Sequence, residues 1–154
     1  MKFQMIQPDD GEHIGVIADW YLKEWNIPIQ ATIEKIQKLA TQNHEFQVLL
    51  TIDGNPVATG GLYNHVSLLD KKPRLKSYQN WLALVYTQPH HRGKGLGALL
   101  CNHIQAHAAE LGLKEIYLFT NTAENLYKRL AWQPLERFTL GDKDIVVMKK
   151  ELNR

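Results

Sequence analysis

The chain has 154 residues, of which 44% are hydrophobic and 22% charged, a composition typical of a folded domain rather than of a disordered segment. Its 18 basic and 16 acidic residues leave a formal net charge of +2, which argues against nucleic acid as a partner, and its single cysteine excludes an internal disulfide or a multi-cysteine metal site. No apolar run is long enough for a signal peptide or a membrane span, so we expect one cytoplasmic domain over residues 1–154 without a membrane partner.

The first part of the chain is predicted to form a strand, two helices and a hairpin. Residues 2–6 predict a short strand, and the apolar residues from Ile14 to Trp25 recur at helical spacing. Pro28 ends that helix, because proline disfavours helical geometry in the residue before it. A second helix is predicted to begin with Thr32 as its N-cap. Strands at 46–52 and 56–63 are joined by a favourable hairpin turn, Asp53-Gly54-Asn55.

The second part alternates strands and helices after a loop at 64–80. The continuous apolar run at 81–86 predicts a central strand that is covered on both faces. One apolar stripe after residue 95 predicts a helix that is stopped by Gly112. A strand at 116–119, a helix at 123–130 and a closing hairpin of strands at 132–137 and 144–149 follow. The order β-α-α-β-β-β-α-β-α-β-β indicates a mixed α/β domain.

A glycine-rich segment, Arg92-Gly93-Lys94-Gly95-Leu96-Gly97, lies between a buried strand and the start of a helix. Glycines permit backbone turns that other residues avoid, and they let an anion approach closely. Several N–H groups can then converge on a phosphate, assisted by the positive end of the helix dipole. Arg92 and Lys94 add positive charge, so we expect a diphosphate ligand.

Three other interpretations of this segment compete with diphosphate binding. A nucleoside-triphosphate loop needs four residues between its first glycine and Gly-Lys, followed by Ser or Thr, and the segment has neither. A dinucleotide fingerprint would place Ala98 at its third glycine and needs an acidic residue that ends the next strand, whereas Glu115 begins that strand. The third is a glycine-rich turn that only starts a helix; three glycines in five residues with two cations favour the diphosphate over it.

The residues around this segment resemble the GNAT superfamily of N-acetyltransferases. The family signature is Gln or Arg, two residues, Gly, one residue, then Gly or Ala, and Arg92, Gly95 and Gly97 match it. Residues 84–89 look like the family's fourth strand, and residues 126–132 are similar to its Leu-Tyr-x-x-x-Gly-Phe segment. The resemblance implies a mixed, mostly antiparallel sheet of six to seven strands with about four helices, in which the fourth and fifth strands splay apart.

The resemblance also implies an activity and the residues that carry it. The enzyme would move the acetyl group of acetyl-CoA to a primary amine by direct attack, with no metal. The cofactor would be bound by backbone and side-chain groups of Val85, Tyr86, Thr87, Arg92, Gly93, Lys94, Gly95, Leu96, Gly97, Ala98 and Asn125. Tyr127 would lie beside the sulfur. A tyrosine has an ordinary pKa of about 10, so Tyr127 would stay protonated and act as the general acid; packing on an amphipathic helix is its alternative role.

The sequence departs from the family pattern in two places. Ala131 and Trp132 stand where the family has glycine and phenylalanine, and these mild changes leave the cofactor assignment intact. The strand at 81–86 carries no acid to deprotonate the amine, so that step would use ordered water or one of the candidates Glu24, His65 and Asp70.

The acceptor side is predicted from residues that the family varies. Trp20, Trp25 and the loop at 64–80 would line it, and Trp20 is preferred because it lies off the apolar stripe that contains Trp25. The acceptor would be a small-molecule or peptide amine, and a homodimer would be in keeping with the family. The alternative function is a non-catalytic acyl-CoA-binding or sensor module on the same fold. His103 and His107 share a helix face, but no carboxylate completes a metal site there.

Overall fold

Seven strands form one sheet in the part of the chain that the computed structural model describes, residues 1–152. The strands are β1 Lys2–Met5, β2 Phe46–Ile52, β3 Asn55–Tyr63, β4 Trp81–Thr87, β5 Glu115–Thr120, β6 Gln133–Leu140 and β7 Lys143–Glu151. Their spatial order is β1-β2-β3-β4-β5-β7-β6, and every neighbouring pair is antiparallel except β4 with β5. The predicted mixed, mostly antiparallel sheet is confirmed.

Five helices accompany the sheet within the described residues: α1 Gly11–Trp25, α2 Ile29–Gln37, α3 Leu68–Lys71, α4 Leu96–Glu110 and α5 Glu124–Arg129. The side chain of Asp10 caps α1 by accepting from the His13 N–H at 3.2 Å. The predicted N-cap of α2 is wrong, because the helix begins at Ile29 and Thr32 is buried inside it. The Pro28 carbonyl accepts from the Ala31 N–H at 3.0 Å and so starts the first turn without a side-chain cap.

The segment at 64–80 is more ordered than the predicted loop. It contains α3 and a 3₁₀ turn at Pro73–Ser77. Val66, Leu68, Leu69 and Leu75 are buried in a cluster with Trp81 of β4. Four-residue turns are too short to show a helical period in the sequence, so the apolar residues of the segment gave no helical signal.

The two faces of the sheet are covered by different elements. On one face, α4 packs on β3 and β4, and its Leu100 and Ile104 join Val48 and Leu118 in the largest apolar cluster. On the other face, α1 and α2 cover the side of β2 and β4, where Ile17 and Ile36 are buried. The central strand β4 therefore lies between α4 on one face and α1 on the other. No helix among residues 1–152 is long and apolar enough to cross a bilayer.

Candidate functional site

The glycine-rich segment forms an open turn that leads into α4. Gly93 and Gly95 have φ values of 80° and 78°, the left-handed region that favours glycine. A Cβ at either position would meet nothing within 4 Å, so glycine is needed for the backbone conformation and the space above the turn is open. No hydrogen bond in the described chain starts from the N–H groups of residues 93–98. These six N–H groups at a helix start are a suitable site for an anion.

Arg92, the first residue of the signature, faces the scaffold. Its Nε donates to the Thr87 carbonyl at 2.7 Å, and its Nη2 donates to Glu24 Oε1 at 3.2 Å. Its guanidinium also lies 5.3 Å from the centre of the Tyr86 ring. The Arg92 N–H donates to the Pro89 carbonyl at 3.3 Å, so the free N–H groups begin at Gly93 and not at Arg92 as expected. Arg92 thus fixes the turn to β4 and α1.

The sheet is split between its central strands. β4 and β5 pair only where Trp81 meets Tyr117, and the Tyr117 N–H donates to the Asn80 carbonyl at 3.0 Å. Beyond that point Ala83, Leu84, Val85 and Thr87 of β4 are partly exposed, although β4 is the fourth of seven strands. Both faces of β4 are covered as predicted, by the α4 cluster around Val85 and the α1 cluster around Leu84 and Tyr86, and the divergence of β5 opens the edge of the second half of β4.

A bulge interrupts β4 beside this split. Gly61 of β3 pairs with Ala83 and Thr59 pairs with Tyr86, so two residues of β4, Leu84 and Val85, lie opposite one residue of β3. Leu84 has a φ of 59°, which is rare for a residue other than glycine. Neither of the two residues has a partner in the β3 register, so the bulge locally disrupts the β3–β4 ladder.

Tyr127 lies on the face of the sheet that α4 covers. It is partly buried, packs against the α4 cluster and makes an edge contact with Trp132 at 5.9 Å between ring centres. Its hydroxyl neighbours the thiol of Cys101 in α4, and burial raises its pKa well above 10. Burial also raises the pKa of Cys101 to about 11. Both groups therefore keep their protons at neutral pH, and the tyrosine is a potential proton donor.

An open cavity of about 610 Å³ lies at the end of β5. Asn125 lines it from the start of α5, together with Thr120, Asn121 and Arg137. The Glu124 carboxylate accepts from Nη1 and Nη2 of the Arg137 guanidinium, and it also accepts from Lys128 Nζ at 3.1 Å. These contacts, with Arg137 the strongest, lower the pKa of Glu124 to about 2, so Glu124 is ionised at neutral pH and paired with Arg137 on this wall of the cavity.

The candidate acceptor residues are divided between the two ends of β4. The end that leads into the glycine-rich segment holds Trp20, Trp25 and Glu24, and there the Trp20 ring stacks on the Tyr86 ring at 5.2 Å between ring centres. Trp20, preferred as a ligand contact because it lies off the apolar stripe, is only 5% exposed, whereas Trp25 on the stripe is 43% exposed.

The remaining two candidates lie at the other end of the strand. His65 Nε2 and Asp70 Oδ1 are 2.9 Å apart, and they follow β3, whose last residue pairs with the first residue of β4. His65 lines a separate cavity of about 560 Å³ there. The structure does not bring His65 and Asp70 together with Glu24.

The histidines of α4 pack against aromatic rings. His103 stacks on Phe3 at 4.1 Å and His107 makes an edge contact with Phe46 at 4.7 Å. Among the described residues, no group of three or more His, Cys, Asp or Glu side chains is placed to hold a metal ion.

Sequence reasoning missed two parts of the site. The bulge at Leu84 leaves no mark in an apolar run, since leucine rarely adopts positive φ. The contact between Cys101 and Tyr127 depends on how α4 and α5 pack. The sequence indicated only that Cys101 lies within a helix without a residue that marks it as a nucleophile, which favours a packed thiol.

Known proteins place this architecture in one family. Residues 9–132 match the model of the acetyltransferase (GNAT) family. An aminoglycoside 6'-N-acetyltransferase solved with coenzyme A superposes with a TM-score of 0.76 at 14% identity, over 100% of this chain and 98% of that one. The aminoglycoside 6'-N-acetyltransferase of Enterococcus faecium gives a TM-score of 0.77 at 13% identity, over 100% and 98%. An N-acetyltransferase of Staphylococcus aureus Mu50 gives 0.73 at 14%, over 99% and 98%.

No curated protein sequence matches the chain. At the identities of the three structures the likeness shows the fold, whereas the family model covers most of the sequence. The chain therefore belongs to the GNAT family of acetyltransferases.

Proposed function

We propose that this protein transfers the acetyl group of acetyl-CoA to a primary amine on a small molecule or a peptide. The observation that carries the proposal is the row of N–H groups of residues 93–98, without partners in the described chain, beside the split between β4 and β5. Membership of the GNAT family and the likeness to an N-acetyltransferase solved with coenzyme A support it.

The residues present suit the diphosphate and the amide-rich arm of coenzyme A. Two glycines with positive φ turn six N–H groups toward open space at the start of α4, and the helix dipole adds favourable potential for negative charge. The peptide groups of Val85, Tyr86 and Thr87 lie along the side of β4 that β5 leaves, and they can pair with the amides of the pantetheine arm. Asn125 would lie near its thiol end.

The chemistry requires one hydrogen-bond donor and one proton donor from the chain. Acetyl-CoA supplies a thioester, whose carbonyl carbon forms a bond to the amine nitrogen while the carbon–sulfur bond breaks. The N–H of Val85, a residue without a partner in the β3 register, stabilises negative charge that develops on the thioester oxygen. The Tyr127 hydroxyl, kept protonated by burial, gives its proton to the leaving sulfur.

The amine loses its proton to water in this proposal. β4 carries no acidic residue, and the Glu24 carboxylate is bound to Arg92. His65 and Asp70 are bonded to each other beyond the start of β4. The split leaves the middle of β4 partly exposed, so solvent can reach the amine directly. The rate should then rise with pH as the neutral fraction of the amine increases.

The test is a screen of amines and peptides with acetyl-CoA, in which released thiol is measured. Release that depends on both the protein and the amine is expected. Coenzyme A binding without release from any amine would favour the acyl-CoA-binding module instead, and failure to bind coenzyme A in a calorimeter would contradict both functions.

The role of the loop is tested by two matched glycine variants. Gly95 precedes α4 and Gly112 follows it; both have positive φ, and a Cβ at either would meet nothing within 4 Å. Gly95→Ala and Gly112→Ala should therefore strain the backbone similarly. Only Gly95→Ala should weaken coenzyme A binding, by roughly tenfold or more, because one charge-assisted hydrogen bond contributes about 1.5–3 kcal/mol. Equal affinities in the two variants would remove the loop from the cofactor site.

A further inference from the structure

A buried chain of hydrogen bonds ends on the bulge of β4. The Tyr21 hydroxyl of α1 donates to the Leu84 carbonyl at 2.6 Å. Gln47 Nε2 donates to the Tyr21 oxygen at 3.0 Å and to Thr59 Oγ1 at 2.8 Å, and the Tyr63 hydroxyl donates to Gln47 Oε1. Tyr21 is 1% exposed and Gln47 is 0% exposed, so water does not compete for these bonds.

The direction of each bond in this chain follows from its protons. Both protons of the Gln47 amide go to hydroxyl oxygens, and its carbonyl oxygen accepts from Tyr63. The single Tyr21 proton is therefore available for Leu84 alone. Burial raises the pKa of Tyr21 well above 10, so the hydroxyl remains a donor throughout the neutral pH range. Each hydrogen bond in this chain therefore has one possible direction, from donor to acceptor.

Holding the Leu84 carbonyl also fixes the next N–H. The C=O of Leu84 and the N–H of Val85 belong to one planar trans peptide and point in opposite directions; the described chain contains no cis peptide bond. The carbonyl points toward α1 because it accepts from Tyr21. The Val85 N–H consequently points away from α1. Leu84 has a φ of 59°, so this peptide needs an outside contact to hold its orientation.

We propose that Tyr21 is a positioning residue for acetyl transfer, whose hydroxyl directs the Val85 N–H toward the developing oxyanion by holding the Leu84 carbonyl. The inference rests on the proposed function, since it needs the Val85 N–H to serve as the donor. Donors of this kind are effective when they are oriented before the reaction begins, and Tyr21 supplies that orientation from the opposite face of the sheet.

Tyr63 offers a matched control within the same chain. It is 2% exposed, and its hydroxyl bonds Gln47 and not β4. Tyr21→Phe and Tyr63→Phe each remove one buried hydroxyl from the same network. Each loses a contact with Gln47, and only Tyr21→Phe also loses the contact with Leu84.

The experiment compares both variants with the wild type in two measurements. For Tyr21→Phe, kcat should fall roughly tenfold or more with the KM for acetyl-CoA within about twofold, given that loss of one oxyanion donor costs about 10²–10³ in kcat. For Tyr63→Phe, kcat should stay within about threefold of the wild type, because this variant leaves the contact between Tyr21 and Leu84 in place. Hydrogen–deuterium exchange of the ligand-free protein should become faster at residues 82–87 in Tyr21→Phe alone.

Four outcomes would overturn the inference, and they are distinguishable. Equal kcat losses in Tyr21→Phe and Tyr63→Phe would show that losing any buried hydroxyl of this hydrogen-bond chain lowers kcat, and that the contact with Leu84 has no special role. Unchanged exchange at residues 82–87 in Tyr21→Phe would show that the hydroxyl does not hold the bulge. A wild type that transfers acetyl to no amine would overturn the proposed function with it, whereas an active wild type and an equally active Tyr21→Phe would overturn this inference only.

Discussion

Gly61 is the position where an added methyl group should disturb the buried hydrogen-bond chain most. A Cβ at Gly61 would lie 2.5 Å from Tyr63 Cε2, 2.7 Å from Gln47 Oε1 and 2.9 Å from the Phe46 carbonyl oxygen. All three distances are shorter than a Cβ tolerates. The carbonyl belongs to the backbone of β2, and the Gln47 oxygen already accepts from Tyr63, so these atoms cannot move without loss of a bond.

The size of the effect of Gly61→Ala follows from two opposing contributions. Overpacking of this kind costs about 1–3 kcal/mol, and alanine recovers about 0.4–1 kcal/mol by restricting the unfolded chain. The midpoints of these two ranges leave a net loss of about 1.3 kcal/mol in the free energy of unfolding. For a domain of this size, about 2–4 °C is lost for each kcal/mol, so Tm should fall by roughly 3–5 °C.

The neighbouring glycine provides the control. A Cβ at Gly60 would lie 3.2 Å from Val85 Cγ2, 3.3 Å from Ile104 Cδ1 and 3.4 Å from Leu100 Cδ2. These are the ends of side chains, which can give way by a few tenths of an ångström. Gly60→Ala should therefore change Tm by less than about 2 °C. Thermal unfolding followed by circular dichroism measures both, and a Tm for Gly61→Ala at or above that of Gly60→Ala would refute the reasoning.

Three further predictions concern titratable side chains. Tyr127→Phe should lower kcat by about 10²-fold or more, as for other general acids, with coenzyme A affinity unchanged in the calorimeter; a fully active variant would exclude Tyr127 as the acid. Cys101, whose pKa is raised to about 11 by burial, should react with iodoacetamide at pH 8 far more slowly in the folded protein than in urea, and equal rates would contradict its burial. Arg137 and Lys128 lower the pKa of Glu124 from 4.5 to about 2, so its contribution to stability is present above pH 4.5 and is lost as the pH falls toward 2. Glu124→Gln should reduce the loss of stability in that interval, measured by urea unfolding at several pH values, and an identical pH profile would show that the ion pair contributes nothing.

The strands and the turn of the glycine-rich segment were predictable because local chemistry determines them. The strand-like run at 46–52, followed by the turn Asp53-Gly54-Asn55, gave β2 its observed bounds, and Gly93 and Gly95 marked two positions with positive φ. Each of these two features depends on residues that are close in sequence, so tertiary packing changes the resulting local structure little.

The split in the sheet was not predictable from β4 itself. A continuous apolar run is the same whether a strand is covered on both sides or loses its neighbour halfway, so residues 81–86 could not reveal where β5 diverges. The burial of Gln47 was not predictable from the sequence either. A polar residue in a strand usually faces solvent, but Gln47 is buried because three hydroxyl groups from α1 and β3 bond to its side chain.

The two tryptophans of α1 show how tertiary contacts override a helical period. Trp25 shares the apolar stripe, but it lies in the last turn of α1 and is 43% exposed. Trp20 lies off that stripe and is nonetheless covered, because the Tyr86 ring of β4 stacks on it. The partner strand, and not the spacing along the helix, decides which ring is buried.

The separation of β4 from β5 also leaves two parts of the sheet with few backbone hydrogen bonds between them. With one backbone pairing between them, at Trp81 and Tyr117, the two halves of the sheet, β1–β4 and β5–β7, are joined chiefly by apolar contacts on the two faces. A ligand that binds along this seam only in the folded protein stabilises the fold by mass action. At a hundred times its dissociation constant it adds about 2.7 kcal/mol to the free energy of unfolding, so occupancy of the seam would strengthen the fold at the point where the sheet has the fewest backbone hydrogen bonds.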